Sequence, residues 1–300
     1  MKKVIYIGKK TLGETTDFET IKEGIDYFSS LPQEQVKTMF VKEGVYNETI
    51  ESRLSNFSMI GLGKVKITGN RSARQILADG TKRGTFRSAV FFLEGTMVSL
   101  ENLHIVNTAG PGEKVGQAVA LYNSGNQVHV KNCRLTGHQD TLCTGPLPAL
   151  QKDGTTFVTP ASENPVYCKQ IYDNCLIEGT VDFIFGGAEA YFVECQIRSL
   201  ASRKPGYITA ASTPRDQKNG YIFRRCQLTG EEGTSDVYLG RPWRPFAKTV
   251  FEQCEIGNHI HPDGWDNWGN EENEKTAVFV EIHNRYSGEV HRPSWVSIEM

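Results

Sequence analysis

The 300-residue sequence has no long apolar segment and no excess of positive charge. No wholly apolar run exceeds five residues, as at residues 89–93, whereas a membrane-spanning helix needs about 20. Lys and Arg number 33 against 35 Asp and Glu, which gives a net charge of −2. A broad positive surface for nucleic acid is therefore not expected. An anionic substrate would have to meet positive charge that is concentrated locally.

The N-terminal residues also lack the long apolar segment of a secretory signal. Lys2 and Lys3 provide a basic start, but only residues 4–7 are apolar before Gly8 and Lys9. A signal sequence needs about 7–15 such residues. These residues predict a cytoplasmic protein, and the alternative is a secreted protein whose leader has been removed.

The cysteines are too irregular in number and spacing for a disulfide framework or a metal site. The chain has seven, an odd number, and no CxxC spacing. Five of them instead occupy one position of a repeated pattern, in which a polar residue precedes Cys or Leu, any residue and an aliphatic residue. This pattern occurs at residues 102–105, 132–135, 174–177, 194–197, 225–228 and 253–256.

The spacing of the pattern predicts a β-solenoid. Its Cys or Leu positions are separated by 30, 42, 20, 31 and 28 residues. The shortest step suits one coil, and longer steps would carry loops. Because stacked coils place equivalent residues above one another, the cysteines are expected to pack as an inert ladder. No linker or low-complexity stretch interrupts the chain, so the predicted fold is all-β with a single domain over residues 1–300.

Helical periodicity is confined to residues 16–30. Thr16 and Glu19 fit a capping box, and Ile21, Ile25 and Phe28 would share one face. A solenoid has an exposed edge at each end, which an amphipathic helix can cover. The segment is therefore predicted to be an N-terminal capping helix.

Two aspartates occupy the same phase of the repeat. Asp140 and Asp182 each follow a repeat cysteine by seven residues. The long step between those cysteines contains 22 loop-like residues, 144–165. If this segment is an excursion from the coil, the two carboxylates stack about 4.8 Å apart. Their repulsion, about 3 kcal/mol, would keep one protonated while the other is ionised, which suits an acid and a nucleophile. The alternative is two solvated aspartates in surface turns.

Four short motifs near these aspartates resemble those of one known family. They are GQAVAL at residues 116–121, QDTL at 139–142, GTVDFIFGG at 179–187 and YLGRPW at 238–243. In this order, on this repeat, they resemble the pectin methylesterases, carbohydrate esterase family 8. The resemblance covers most of the chain and implies a right-handed parallel β-helix that hydrolyses galacturonate methyl esters in pectin or pectic oligosaccharides.

The resemblance also implies roles for five residues. Asp182 would be the nucleophile that forms an acyl-enzyme, and Asp140 the general acid and then the base. Gln117 and Gln139 would donate amide hydrogens to the oxyanion. Arg241 would hold Asp182 ionised, although its alternative is a surface arginine in a turn. No cofactor or metal is expected. The protein would bind pectin or oligogalacturonides as a monomer, and neither nucleic acid nor a membrane is expected as a partner.

Three further residues are candidates for substrate binding. Trp243 would offer a flat face to a sugar ring, or else pack in the core. Val181 and Phe185 lie in the motif that carries Asp182. A strict period of two sends Phe183 and Phe185 inward, opposite Asp182. In the family the second phenylalanine lines the cleft, so the glycines that follow would have to redirect Phe185.

The sequence departs from the family at two places. Cys143 stands after QDTL, where the family commonly has Tyr. The excursion at residues 144–165 is absent from the compact plant-type pattern and would rise beside the cleft. Cys143 and Cys168 flank it, so a disulfide at its base is a hypothesis for an oxidising compartment.

Two other classes of function stay open at this point. A pectin lyase or glycosidase with the same fold would use calcium ligands or a carboxylate pair flanking the bond. A β-helix that only binds polysaccharide would explain the aromatic residues but not the stacked aspartates.

Overall fold

A computed structural model describes residues 2–9, 15–162, 165–203 and 205–299. Residues 163 and 164 of the predicted excursion lie outside these ranges. The helices are α1, Ile21–Ser29, and α2, Gly112–Val115, with 3₁₀ turns at Phe86–Ser88 and Glu271–Lys275. In the described part of the chain, no helix has the length and apolarity needed to cross a membrane.

Within the described ranges, twenty-four strands make up most of the regular structure. The first twelve are β1 Lys3–Ile7, β2 Lys37–Tyr46, β3 Ile50–Ser52, β4 Phe57–Gly69, β5 Phe91–Leu93, β6 Thr96–Asn107, β7 Leu121–Asn123, β8 Asn126–Lys131, β9 Arg134–Thr136, β10 Leu142–Thr144, β11 Lys169–Asp173 and β12 Leu176–Gly179. The second twelve are β13 Ile184–Gly186, β14 Glu189–Val193, β15 Gln196–Ser199, β16 Gly206–Ala211, β17 Tyr221–Arg224, β18 Gln227–Gly230, β19 Val237–Pro242, β20 Lys248–Glu252, β21 Glu255–Ile256, β22 Val278–Ile282, β23 Arg285–Tyr286 and β24 Ser297–Glu299.

The strands form two parallel sheets that wind into a β-helix. Seven strands stack in the order β3, β5, β7, β10, β13, β16 and β19, and the other seventeen form the second, bent sheet. The mostly-β architecture with a short helix confirms the predicted fold class. The seven-stranded sheet carries the candidate site on its outer face.

The pairing register confirms the repeat. The aliphatic residue of each pattern pairs with the same position on the next coil, across the steps of 30, 42, 20, 31 and 28 residues predicted above. The paired residues are, in order, Ile105, Leu135, Ile177, Ile197, Leu228 and Ile256.

The polar residue of the pattern has a structural function that the spacing alone does not reveal. In every repeat it takes a left-handed conformation, with φ from 49° to 56°, at Asn102, Asn132, Asn174, Glu194, Arg225 and Gln253. One such residue bends the chain sharply between two strands, and Asn tolerates this conformation better than most residues. The pattern therefore marks a corner of the coil.

Cysteines and aromatic rings fill the interior beside this corner. The five repeat cysteines are at most 2% exposed, and all seven cysteines are free and buried. Next to them, Tyr172, Phe192, Phe223 and Phe251 stack with ring centroids 4.4–4.8 Å apart. The repeat cysteines thus pack as small apolar side chains, as predicted.

The predicted disulfide between Cys143 and Cys168 is not formed. Both thiols are free. Cys143 belongs to a cluster on the outer face of the seven-stranded sheet, whereas Cys168 belongs to the inner core. Each thiol is thus surrounded by a separate set of apolar side chains.

The capping helix begins later than predicted. α1 starts at Ile21, and its capping box joins Thr20 to Glu23, not Thr16 to Glu19. The residues before it are held in extended structure, because the backbone N–H of Tyr6 donates to Asp17 and Phe18 pairs with Ile7. From there α1 buries Ile21, Ile25 and Phe28 against the first coil, as the periodicity predicted.

We expect the thiols to be unreactive in the native protein. All seven cysteines are buried, so a reagent cannot reach them in the folded state. Burial also raises the pKa of Cys168 to about 12 and that of Cys143 well above its ordinary value, which removes the reactive thiolate at these two positions. Titration with a thiol reagent should detect almost no thiols before denaturation and all seven afterwards without reductant. A denatured protein with two thiols missing would contradict the free cysteines and show that a disulfide is present.

Candidate active site

The stacking of β10 on β13 brings the two aspartates together. Leu142 pairs with Ile184, so Asp140 and Asp182, each two residues earlier, occupy matching positions on adjacent coils. The backbone N–H of Asp140 donates to the carbonyl of Val181 at 3.0 Å. Both aspartates take left-handed conformations, with φ of 65° and 49°, at the corner that leads into each strand. The register places the two residues one strand spacing apart, about 4.8 Å in parallel sheets.

Asp140 and Asp182 form the floor of a cavity of about 670 Å³. Only 7% of Asp140 and 8% of Asp182 is exposed to solvent. A buried carboxylate is costly unless it is paired or protonated. The surroundings of each aspartate therefore decide which of them carries the proton.

Arg241 binds Asp182 through two nitrogens on one edge of its guanidinium group. Its Nε donates to Oδ1 at 2.8 Å and its Nη2 to Oδ2 at 2.7 Å. The guanidinium carbon lies 3.9 Å from the centroid of the Tyr207 ring and 3.8 Å from that of Trp268. Two aromatic rings and one bidentate ion pair thus fix the orientation of Arg241 and, through it, of Asp182.

The two carboxyl groups differ in their ionisation. Burial, together with the charge of Asp182, raises the pKa of Asp140 well above its usual range. Burial also raises the pKa of Asp182, but the hydrogen bonds and charge of Arg241 oppose that shift. Asp140 is therefore the carboxyl that holds a proton, while Asp182 is the one stabilised as an anion.

The two glutamines meet the aspartates at the same cavity. Gln117 and Gln139 line it together with Asp140, Asp182 and Arg241. Gln139 precedes Asp140 directly, and its carbonyl accepts from the backbone N–H of the residue after Gln117 at 3.1 Å. Both side chains are partly exposed and line the cavity, and their amide N–H groups are able to donate to a bound oxygen.

Phe185 faces outward, so the prediction from strict alternation is wrong for it. Phe183 and Ile184 both lie in the inner core, whereas Phe185 lies in the outer cluster. The chain turns at Asp182, and β13 begins only at Ile184, so the alternation does not continue across the corner. Phe185 consequently lines the cavity.

Trp243 and Val181 lie at the edges of the site. Trp243 is half-buried, packs edge-on against Phe185 with centroids 5.8 Å apart, and lines the cavity. Val181 lines an adjoining cavity of about 520 Å³ that shares Gln117, Gln139 and Arg241 with the first. The two cavities form neighbouring parts of one groove across the outer face of the sheet.

Sequence reasoning missed the two rings that hold Arg241. Tyr207 lies on β16, where the repeat pattern gives no indication of a role. Trp268 lies in the segment after the last repeat, with a φ of 59°. An isolated Trp between Asn267 and Gly269 is unusual in a turn, and this is the one local signal that could have drawn attention to it.

The groove is locally basic although the chain is slightly acidic overall. Six cationic side chains line the larger cavity against three aspartates. The cations are Lys82, Arg83, Arg87, Lys152, Arg241 and Arg244. A polyanionic chain would be attracted to such a surface. In the described ranges, no group of three or more His, Cys, Asp or Glu side chains is arranged to hold a metal ion.

Comparisons with known proteins give matches along most of the chain. The family model described as Pectinesterase matches residues 10–147 and 165–300. The chain is 32% identical to "Pectinesterase" of Petunia integrifolia over 287 residues, which covers 90% of the chain and 68% of the relative. It is also 32% identical to "Probable pectinesterase/pectinesterase inhibitor 42" of Arabidopsis thaliana, covering 98% of the chain but only 55% of that relative's length.

Solved structures show the same likeness. "Pectin methylesterase from Carrot" has a TM-score of 0.79 and 25% identity, covering 99% of this chain and 88% of that one. A pectin methylesterase in complex with hexasaccharide VII has a TM-score of 0.79 and 26% identity, covering 99% and 92%.

The comparisons overturn the expected cytoplasmic location. Homologous pectinesterases are cell-wall or secreted enzymes that act on extracellular pectin. The prediction of a cytoplasmic protein is therefore wrong. The apolar residues 4–7, interpreted as too short for a signal, belong to strand β1, which pairs with β2 in the β-helix.

We expect Asp140→Asn to stabilise the protein increasingly as pH rises. An aspartate in the unfolded chain has a pKa of about 3.9. The pKa of the folded Asp140 is raised, so it keeps its proton to higher pH. Between these two pKa values the folded state binds the extra proton, so wild-type stability falls as pH rises. Asparagine has no proton to lose and escapes this penalty.

Urea unfolding from about pH 4 to about pH 8 measures the effect. The free energy of unfolding of Asp140→Asn should exceed that of wild type by a margin that widens with pH. The exposed Asp216→Asn serves as the matched control and should follow wild type. A constant difference between Asp140→Asn and wild type would show that Asp140 has no raised pKa.

Proposed function

The chain belongs to the pectinesterase family, and on that premise we propose that it hydrolyses galacturonate methyl esters of pectin or pectic oligosaccharides, releasing methanol. The single observation that carries the proposal is the buried Asp140–Asp182 pair with Arg241 bound to only one of its members. This arrangement supplies a fixed carboxylate and a neighbouring carboxylic acid at the floor of a groove. Ester hydrolysis through a covalent intermediate requires a nucleophile and a proton donor, and these two groups are able to fill those roles.

In the proposed first step, a carboxylate oxygen of Asp182 attacks the ester carbonyl carbon. The carbonyl electrons move to oxygen and give a tetrahedral oxyanion. Gln117 and Gln139 donate amide hydrogens to that oxygen, and such preorganised donors are usually the largest electrostatic contribution to the rate. Both glutamines line the cavity beside Asp182.

The proton of Asp140 is then transferred to the leaving group. The tetrahedral species collapses, the bond to the methoxy oxygen breaks, and Asp140 protonates that oxygen so that methanol leaves. The product is an anhydride between Asp182 and the galacturonate carboxyl group. Asp140, now ionised, removes a proton from water, which attacks the anhydride and regenerates free Asp182.

Arg241 allows the two aspartates to have different roles. Its bidentate hydrogen bonds stabilise the ionised form of Asp182 and fix the orientation of both carboxylate oxygens. A lysine would provide one charge but neither the fork nor the flat face that Tyr207 and Trp268 contact. We therefore assign Arg241 a positioning role.

The lining of the groove is suited to binding an extended anionic substrate. Trp243 and Phe185 present ring surface to the cavity, and Val181 lies further along the groove. The basic lining suits the carboxylates of pectic chains. We further propose that the chain acts as a monomeric single domain, with α1 as its N-terminal cap, and that nucleic acid and membranes are not its partners.

The proposal predicts methanol release from methylated pectin and its loss in site variants. Asp182→Asn and Asp182→Ala should abolish release. Asp140→Asn should lower kcat by about 10²–10⁴, and Gln117→Ala by about 10²–10³. Asp216 is exposed and lies away from the groove, so Asp216→Asn should retain wild-type activity.

Parallel assays of reducing ends and unsaturated products separate the alternatives. New reducing ends or double bonds without methanol would indicate a glycosidase or a lyase. Binding of pectin without any product would indicate a polysaccharide-binding protein. Methanol release that survives in Asp182→Ala would contradict the assignment of the nucleophile.

A further inference from the structure

The match to the family model is interrupted at residues 148–164, and the described part of this segment forms one wall of the groove. Gln151, Lys152, Asp153, Phe157 and Val158 all line the larger cavity. This wall, which we name the groove loop (residues 148–162), is therefore particular to this chain relative to the family pattern. Its side chains are in a position to contact substrate.

The groove loop is held at its base by polar contacts. Arg53 donates to the carbonyl of Pro160 at 2.7 Å and to the hydroxyl of Ser162 at 3.1 Å. Glu94 accepts from the backbone N–H and the hydroxyl of Ser162 at 3.1 and 3.0 Å. On the other side, Arg244 donates to the carbonyl of Leu150 at 3.0 Å. The loop is thus tied to the coil at both ends.

An aromatic contact fixes the middle of the loop. The Phe157 ring packs edge-on against Phe86, with centroids 5.3 Å apart, and against Trp243, at 6.0 Å. Trp243 in turn contacts Phe185 in the floor of the cavity. These contacts connect the loop directly to the candidate substrate-binding surface.

A closed turn forms the tip of the loop and presents Lys152. The backbone N–H of Gln151 donates to the carbonyl of Thr155 at 2.8 Å, and its side-chain amide donates to the Thr155 hydroxyl at 2.9 Å. Asp153 accepts from the backbone N–H and hydroxyl of Thr155 at 3.0 and 2.7 Å. The nearest carboxylate on the loop is therefore already engaged within the turn.

Lys152 reaches the ring that also holds Arg241. Its ammonium nitrogen lies 4.8 Å from the centroid of Trp268, and the Arg241 guanidinium carbon lies 3.8 Å from the same centroid. Arg241 binds Asp182 directly. The Trp268 ring therefore contacts both the ammonium of Lys152 and the guanidinium of Arg241, the group that positions Asp182.

The charge of Lys152 is not neutralised by an ion pair within the ranges that the structure describes. The other charged side chains that line the cavity are mostly cationic, including Arg83, Arg87 and Arg244, and Asp153 bonds to Thr155. A methyl ester is neutral and gains little from such a charge, whereas a free carboxylate gains a charge-assisted contact. A positive charge at this position favours a free galacturonate carboxylate over its methyl ester.

We propose that Lys152, presented by the groove loop, binds the free carboxylate of a galacturonate unit next to the one being hydrolysed. This specificity role rests on the proposed esterase function for its biological meaning. It implies that the protein prefers chains that already carry free carboxylates over fully methylated chains of equal length.

Binding measurements test the proposal independently of catalysis. Calorimetry would compare a methyl-free hexagalacturonate with its fully methylated form, on the wild type and on Lys152→Gln, with Asp182→Ala added to every protein so that no ester is hydrolysed during the measurement. Wild type should bind the free acid more tightly, and Lys152→Gln should reduce that preference about fivefold. Lys152→Glu should reduce it further, and added salt should weaken the wild-type preference. The exposed Lys131→Gln is the matched control and should leave the preference unchanged.

Methanol assays on the same proteins with Asp182 restored separate the two proposals. A binding preference that falls in Lys152→Gln, without methanol release by the wild type, would contradict the esterase function and support the role of Lys152. Methanol release with an equal preference in wild type, Lys152→Gln and Lys152→Glu would overturn the role of Lys152 and leave the esterase function standing. Because Lys152 is exposed at a loop tip, neither substitution should disturb folding, which thermal unfolding verifies.

Discussion

The hydrogen bonding between consecutive coils is the constraint on which the site depends. It places Asp140 opposite Asp182 and leaves neither residue free to move away, since each lies at a corner held by backbone bonds. Two buried carboxyl groups on adjacent coils cannot both be ionised at low cost in free energy. The asymmetry arises because Arg241 extends from a later coil and binds only Asp182. The stacking of the coils thus determines which of the two aspartates is ionised.

The remaining parts of the site build outward from this pair. Tyr207 and Trp268 hold the guanidinium, so aromatic side chains from separate segments indirectly determine the orientation of Asp182. The groove loop adds a wall that the family pattern lacks and that carries Lys152. The β-helix carries the proposed reaction centre, and the inserted segment carries the positive charge that we propose binds the neighbouring galacturonate unit.

Features that follow from periodicity could be predicted from the sequence. The cysteine ladder and the pairing register follow from stacked coils, and the phase of Asp140 and Asp182 follows from the same spacing. Features that depend on corners or loops could not. Phe185 reverses its expected side because alternation stops at the corner at Asp182, and α1 starts late because Asp17 bonds to Tyr6. Trp268 lies beyond the last repeat and has no periodic signal.

Infrared spectroscopy of the carboxyl groups tests the central claim most directly, because protonated and ionised carboxyls absorb separately. Near neutral pH, wild type should show the C=O stretch of a buried carboxylic acid that disappears in Asp140→Asn. The same band should persist in a variant that lacks the carboxyl of residue 182. If the band is absent from wild type, or if it depends on Asp182 and not on Asp140, then Arg241 does not divide the proton between them as described.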